Sequence, residues 1–128
     1  QQRAGKSDAA LPIVDEAERI WTRKLPPAHK NFALMHRLRA AIALDRGEFD
    51  VAERELAAAL DVLQKSAAPA SDFAIVRAEQ ACLRLRQGRK EEARDLLAAA
   101  LPRLRDAFLP TQVTLVEAER NAAQLGVH

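Results

Sequence analysis

Residues 46–60, Arg-Gly-Glu-Phe-Asp-Val-Ala-Glu-Arg-Glu-Leu-Ala-Ala-Ala-Leu, return 41 positions later as Gln-Gly-Arg-Lys-Glu-Glu-Ala-Arg-Asp-Leu-Leu-Ala-Ala-Ala-Leu. Gly47 matches Gly88, Ala52 matches Ala93, Leu56 matches Leu97, and both stretches end in Ala-Ala-Ala-Leu. The residues upstream obey the same offset: Phe32-Ala33 with Phe73-Ala74, Ala40 with Ala81, Leu44 with Leu85. A fainter copy opens the chain, where Gly5, Asp8, Ala10 and Ala17 precede Gly47, Asp50, Ala52 and Ala59 by 42 residues. Self-similarity at such a period means one supersecondary unit repeated, each copy burying a face that it cannot bury alone.

That unit is helical. Ala52, Leu56, Ala59, Leu60 and Leu63 fall at i, i+4, i+7, i+8 and i+11, one face of a helix, and Ala93, Leu96, Leu97, Ala100, Leu101, Leu104 and Phe108 mark the corresponding helix of the third unit. The chain is rich in alanine, leucine, arginine and glutamate, with four Phe, one Trp and no Tyr, which suits helices and excludes an all-β fold. Apolar residues at 48% and charged ones at 30% fit a globular chain rather than a disordered one. The single cysteine, Cys82, excludes an internal disulfide and reads as a small buried hydrophobe.

Each unit is expected to be a helix pair. In the middle unit the first helix runs from about Lys30 to Arg46 and stops at Gly47, a residue suited to a left-handed helix end. The second runs from Phe49 to Lys65, and a third unit follows after Ser66–Ser71. Ser71 or Asp72 is expected to cap the next helix, and Thr111 the last one. In the first unit Ile13, Ala17, Ile20 and Trp21 are expected to line the buried face. Two prolines interrupt the pattern: a helix is expected to begin near Pro12, and another to bend or end early near Pro102. The resulting division is a partial repeat 1–29, repeats 30–70 and 71–109, and a terminal helix 110–128 with one wet face. The chain opens on Gln1 rather than Met and is expected to be a piece of a longer protein.

The pattern Gly-x4-Ala-x3-Leu-x2-Ala-Leu, present as Gly47/Ala52/Leu56/Ala59/Leu60 and Gly88/Ala93/Leu97/Ala100/Leu101, resembles the second half of a tetratricopeptide (TPR) repeat. Its long period is similar to the extended repeats of kinesin light chains and of bacterial regulators and kinases that carry TPR arrays. The resemblance implies an all-α fold, a right-handed superhelical stack of antiparallel helix pairs closed by a C-terminal capping helix. It implies a non-enzymatic module that binds a protein or peptide, the regulatory or scaffold part of a larger bacterial signalling protein, cytoplasmic by preference. One TPR subgroup grips a C-terminal carboxylate with Lys and Asn. Here Arg37 and Ala41, then Ala78 and Cys82, stand at two such positions, so that clamp is not supported. The other reading is homo-oligomerisation through a repeat edge or the Ala-rich helix faces.

Chemistry-bearing motifs are sparse. His29, His36 and His128 have no His or Cys at i+3 or i+4, no nucleotide-binding or nucleophile motif occurs, and no cofactor or metal is expected. A formal charge of +2, with acidic and basic residues interspersed, gives no block suited to nucleic acid, and no apolar run is long enough to span a membrane. One constellation stands out. A helical wheel places His36, Arg39 and Arg46 on one side of the first helix of the middle unit, and Arg77, Gln80, Arg84 and Gln87 on the matching side of the next. This row, with His36, Arg39, Arg77, Gln80 and Arg84 as its candidate contacts, is either a basic surface for an acidic or C-terminal segment or a solvated face whose arginines pair internally.

Overall fold

The structure is a computed structural model and describes residues 2–26 and 29–127. Among the described residues there are six helices and no strand: α1 (Gln2–Lys24), α2 (Lys30–Asp45), α3 (Phe49–Lys65), α4 (Ala70–Arg86), α5 (Lys90–Ala107) and α6 (Val113–Leu125). They form two compact units, Gln1–Ala68 and Pro69–His128. In the first unit α2 packs on both α1 and α3. In the second α5 packs on both α4 and α6, and α6 also touches α4.

The repeat is visible in the backbone. α2 leads into α3, and α4 into α5, through the same turn. Gly47 and Gly88 adopt φ of 75° and 78°, which places them in the left-handed region that costs a side chain-bearing residue energy. The following amide closes the helix end: Glu48 N–H donates to the Ala43 carbonyl at 2.8 Å, and Arg89 N–H to that of Arg84 at 2.8 Å. Gly47 N–H reaches the Leu44 carbonyl and Gly88 N–H that of Leu85, so the orphan carbonyls of both helices are satisfied in the same paired way.

The cores repeat as well. Ala52, Leu56, Ala59 and Leu63 are buried on α3, and Ala93, Leu97, Ala100 and Leu104 at the equivalent positions of α5. On the partner helices Ala33, Met35, Ala40 and Ile42 match Ala74, Val76, Ala81 and Leu83. The buried alanines are where two backbones approach closely, and the leucines fill the space on either side. α6 closes the second core with Leu115, Ala118, Ala122 and Leu125.

Several local expectations need correction. No helix begins at Pro12: α1 runs unbroken from Gln2 to Lys24 with Pro12 inside it. Nor does α5 end early at Pro102, which lies inside a helix that continues to Ala107. Both prolines lie on exposed faces, and so does Ala98, whose carbonyl Pro102 leaves without its helical donor. Water can take that bond, so the interruption costs less than it would in a core. The inner face of α1 also differs from the expected one at two of its four positions. Ile13 and Ile20 are 71% and 43% exposed, whereas Val14 is buried. Ala17 and Trp21 are half-buried, as the expected face requires. Cys82, expected in the core, is half-buried.

Capping differs too. Pro69 precedes α4 as its N-cap with no side-chain cap, so neither Ser71 nor Asp72 serves. For α6 the capping oxygen is Gln112 Oε1, which accepts from Thr114 and Leu115 N–H, rather than Thr111. His29 caps α2: its Nδ1 accepts from Asn31 N–H at 3.1 Å. Pro27 and Ala28, part of the loop expected before α2, lie outside the described residues.

Candidate interaction surface

The row on α2 is committed to its own unit. His36 Nδ1 lies 2.7 Å from Glu55 Oε1 on α3. Arg39 turns the other way, its Nη2 donating to Glu18 Oε1 at 2.5 Å and Asp15 Oδ1 at 2.7 Å on α1, while Nη1 reaches Met35 Sδ at 3.6 Å. Burial opposes the Arg39 charge, but hydrogen bonds to Glu18 and then Asp15 outweigh it, and the guanidinium pKa is raised above its ordinary value. His36 and Arg39 therefore tie the central helix to both flanking helices. Beside them Trp21 and Phe32 meet edge to face, ring centroids 6.4 Å apart, and fill the seam between α1 and α2.

The row on α4 is arranged differently. Arg77 Nη1 donates to Gln80 Oε1 at 3.0 Å, and Arg84 Nη1 to Gln87 Oε1 at 2.9 Å, so two Arg-Gln pairs follow each other along one helix. Arg84 Nε also comes within 3.5 Å of Glu92 Oε1 on α5, a carboxylate that Arg89 grips with two hydrogen bonds of 2.6 and 2.9 Å. Arg77 is exposed, while Gln80, Arg84 and Gln87 are half-buried. A guanidinium carries five N–H donors in a planar fork, so a pair such as Arg77–Gln80 can hold its geometry and still present donors to a carboxylate.

The five candidate residues thus split between two environments. His36 and Arg39 join helices within the first unit, and Arg77, Gln80 and Arg84 form the row along α4 in the second. Wheel geometry located these positions but missed their partners Asp15, Glu18, Glu55 and Glu92, which stand on other helices. Apolar surface is also present: Leu109, Val113 and Val116 are exposed where α5 passes into α6, and Leu34 and Leu38 along α2. Among the described residues no three His, Cys, Asp or Glu side chains gather as a metal site would need, and no helix is long and apolar enough to cross a membrane. No family model matches the chain, and neither a curated protein nor a solved structure matches it.

Proposed function

We propose that this chain is a TPR-like repeat module that binds a protein or peptide, performs no chemistry itself, and serves as the regulatory or scaffold part of a larger bacterial signalling protein. The repeated Gly/Ala/Leu pattern, the superhelical class it resembles and the shared α2–α3 and α4–α5 turn support the module. The observation that carries the binding surface is the exposed Arg77–Gln80 pair leading to Arg84–Gln87 on α4. Such a row suits a segment rich in carboxylates, or one ending in a free carboxylate, through charge-assisted hydrogen bonds.

The test is fluorescence anisotropy with labelled Asp/Glu-rich peptides, each made with a free and an amidated C-terminus. Binding is expected to weaken with salt and to fall about tenfold or more in Arg77→Glu, which reverses an exposed charge and leaves the core intact. Equal binding by wild type and variant, or none by wild type, overturns the acidic-segment reading. The alternative is self-assembly, favoured by the exposed apolar residues of α2.

A further inference from the structure

α2 exposes Lys30, Leu34, Leu38, Ala41 and Asp45, and its remaining residues are buried or half-buried. These five recur at i, i+4, i+8, i+11 and i+15. At a helical period of 3.6 they occupy about 80° of the helix surface, a single straight stripe. Its centre is apolar, with Leu34 42% and Leu38 45% exposed. Its ends are oppositely charged, a lysine at the first turn and an aspartate at the last.

The order of the stripe is its informative property. Read from either end it runs charge, apolar residue, Leu38, apolar residue, opposite charge. The geometry points to a second copy of this chain as the occupant, its α2 lying antiparallel across a two-fold axis beside Leu38. In that register Lys30 faces Asp45 of the second copy, Leu34 faces Ala41, and the two Leu38 side chains meet at the axis. Each contact then occurs twice, as an isologous interface requires. A parallel arrangement would set Lys30 against Lys30 and Asp45 against Asp45, which charge repulsion opposes. Arg37 stands half-buried to one side of the stripe, so like charges approach the axis only at its edge.

Most of the same face is covered in the second unit. At the positions 41 residues on, Ser71, Ile75, Glu79 and Cys82 are half-buried, while Arg86, the counterpart of Asp45, is exposed. Ile75 packs against a core to which α6 contributes, and α6 touches α4. The stripe spans about 22 Å, and one helix pair covers less than the 1,200–2,000 Å² of an ordinary stable interface, so the dimer is weak and concentration-dependent. This inference deepens the self-assembly alternative and is independent of acidic-peptide binding through Arg77, which a monomer could perform equally well.

Sedimentation velocity of the full chain, at loadings spanning about a hundredfold, tests it. The mean mass of wild type is expected to climb from monomer towards dimer, while Leu38→Glu stays monomeric with unchanged helical circular dichroism. Lys30→Asp and Asp45→Lys are each expected to weaken self-association. Mixed in equal amounts, the two are expected to recover it as a heterodimer, because each now supplies the charge the other lacks. A wild type that is monomeric throughout, or a dimer that survives Leu38→Glu, overturns the proposal. Dimerisation without recovery in the mixture overturns the antiparallel register. Peptide anisotropy on the same samples reports separately on the α4 row.

Discussion

Arg39 on α2 and Glu18 on α1 meet through Nη2 and Oε1 at 2.5 Å, with Asp15 sharing the same nitrogen at 2.7 Å. The Arg39 side chain is 19% exposed, but those of Glu18 and Asp15 are 43% and 63% exposed, so water and salt reach the pair from the acidic side. Arg39→Ala is therefore expected to cost about 1 kcal/mol at low ionic strength and less at high salt. Its raised pKa contributes at every pH below the ordinary arginine range and is lost only as pH rises through the folded value. Denaturant titration of wild type and variant at low and high salt checks this, and a cost that ignores salt would refute the ionic account.

The helix ends give a pair of opposite predictions. Gly47 and Gly88 have positive φ, and a Cβ added at either would meet nothing within 4 Å. The cost of Gly47→Ala or Gly88→Ala is then purely conformational, about 1–2 kcal/mol and similar at both sites. Ala67, at φ 53°, occupies the left-handed position after α3 without being glycine. Ala67→Gly is expected to stabilise the chain by about 1 kcal/mol, because relief of that strain exceeds the entropy glycine adds to the unfolded state. Thermal unfolding of the three variants reads the signs directly.

Alanine positions that look alike in sequence should respond differently to enlargement. Ala59 and Ala100 are 0% and 2% exposed, whereas Ala57 and Ala98, two residues before them, face solvent. Ala59→Leu and Ala100→Leu are expected to cost about 1–3 kcal/mol each by forcing helices apart. Ala57→Leu and Ala98→Leu should change stability by no more than about 0.5 kcal/mol. Denaturation midpoints of the four single variants test the close-approach role, and equal effects across them would refute it.

The parts legible in the sequence were those fixed by local, repeated chemistry. Gly47 and Gly88 set the helix ends, and the spacing of Ala52, Leu56 and Ala59 set a face, because both depend on neighbours within a few residues. α1 was harder. Ile13 and Val14 are adjacent and equally apolar, and only the packing of α1 on α2 decides which turns inward. Pro12 and Pro102 read as breaks because their cost depends on whether water reaches the freed carbonyl, a tertiary property. The same limit governed the candidate row. A helical wheel can place Arg39 and Arg77 on corresponding sides, but Glu18 lies 21 residues before Arg39 and enters its environment only after α1 folds back on α2.

Arg105 of α5 grips Glu119 of α6 through two parallel hydrogen bonds, Nε to Oε2 at 2.9 Å and Nη2 to Oε1 at 2.7 Å. The Arg105 hydrogen bonds, reinforced by its charge and only partly opposed by burial, hold the Glu119 pKa below its ordinary 4.5. A carboxyl whose pKa falls on folding stabilises the fold fully above its unfolded value and loses that contribution as pH drops through the folded one. Wild type is thus expected to outlast Glu119→Gln near neutrality, with a melting-temperature gap that is steady above about pH 5.5 and closes on acidification below 4.5. Arg105→Ala should show the same convergence, since it removes the cause of the depressed pKa. Thermal melts of the three proteins from neutral to acid pH provide the comparison. A gap that stays constant to the lowest pH would mean the pair contributes through packing rather than through the carboxylate charge.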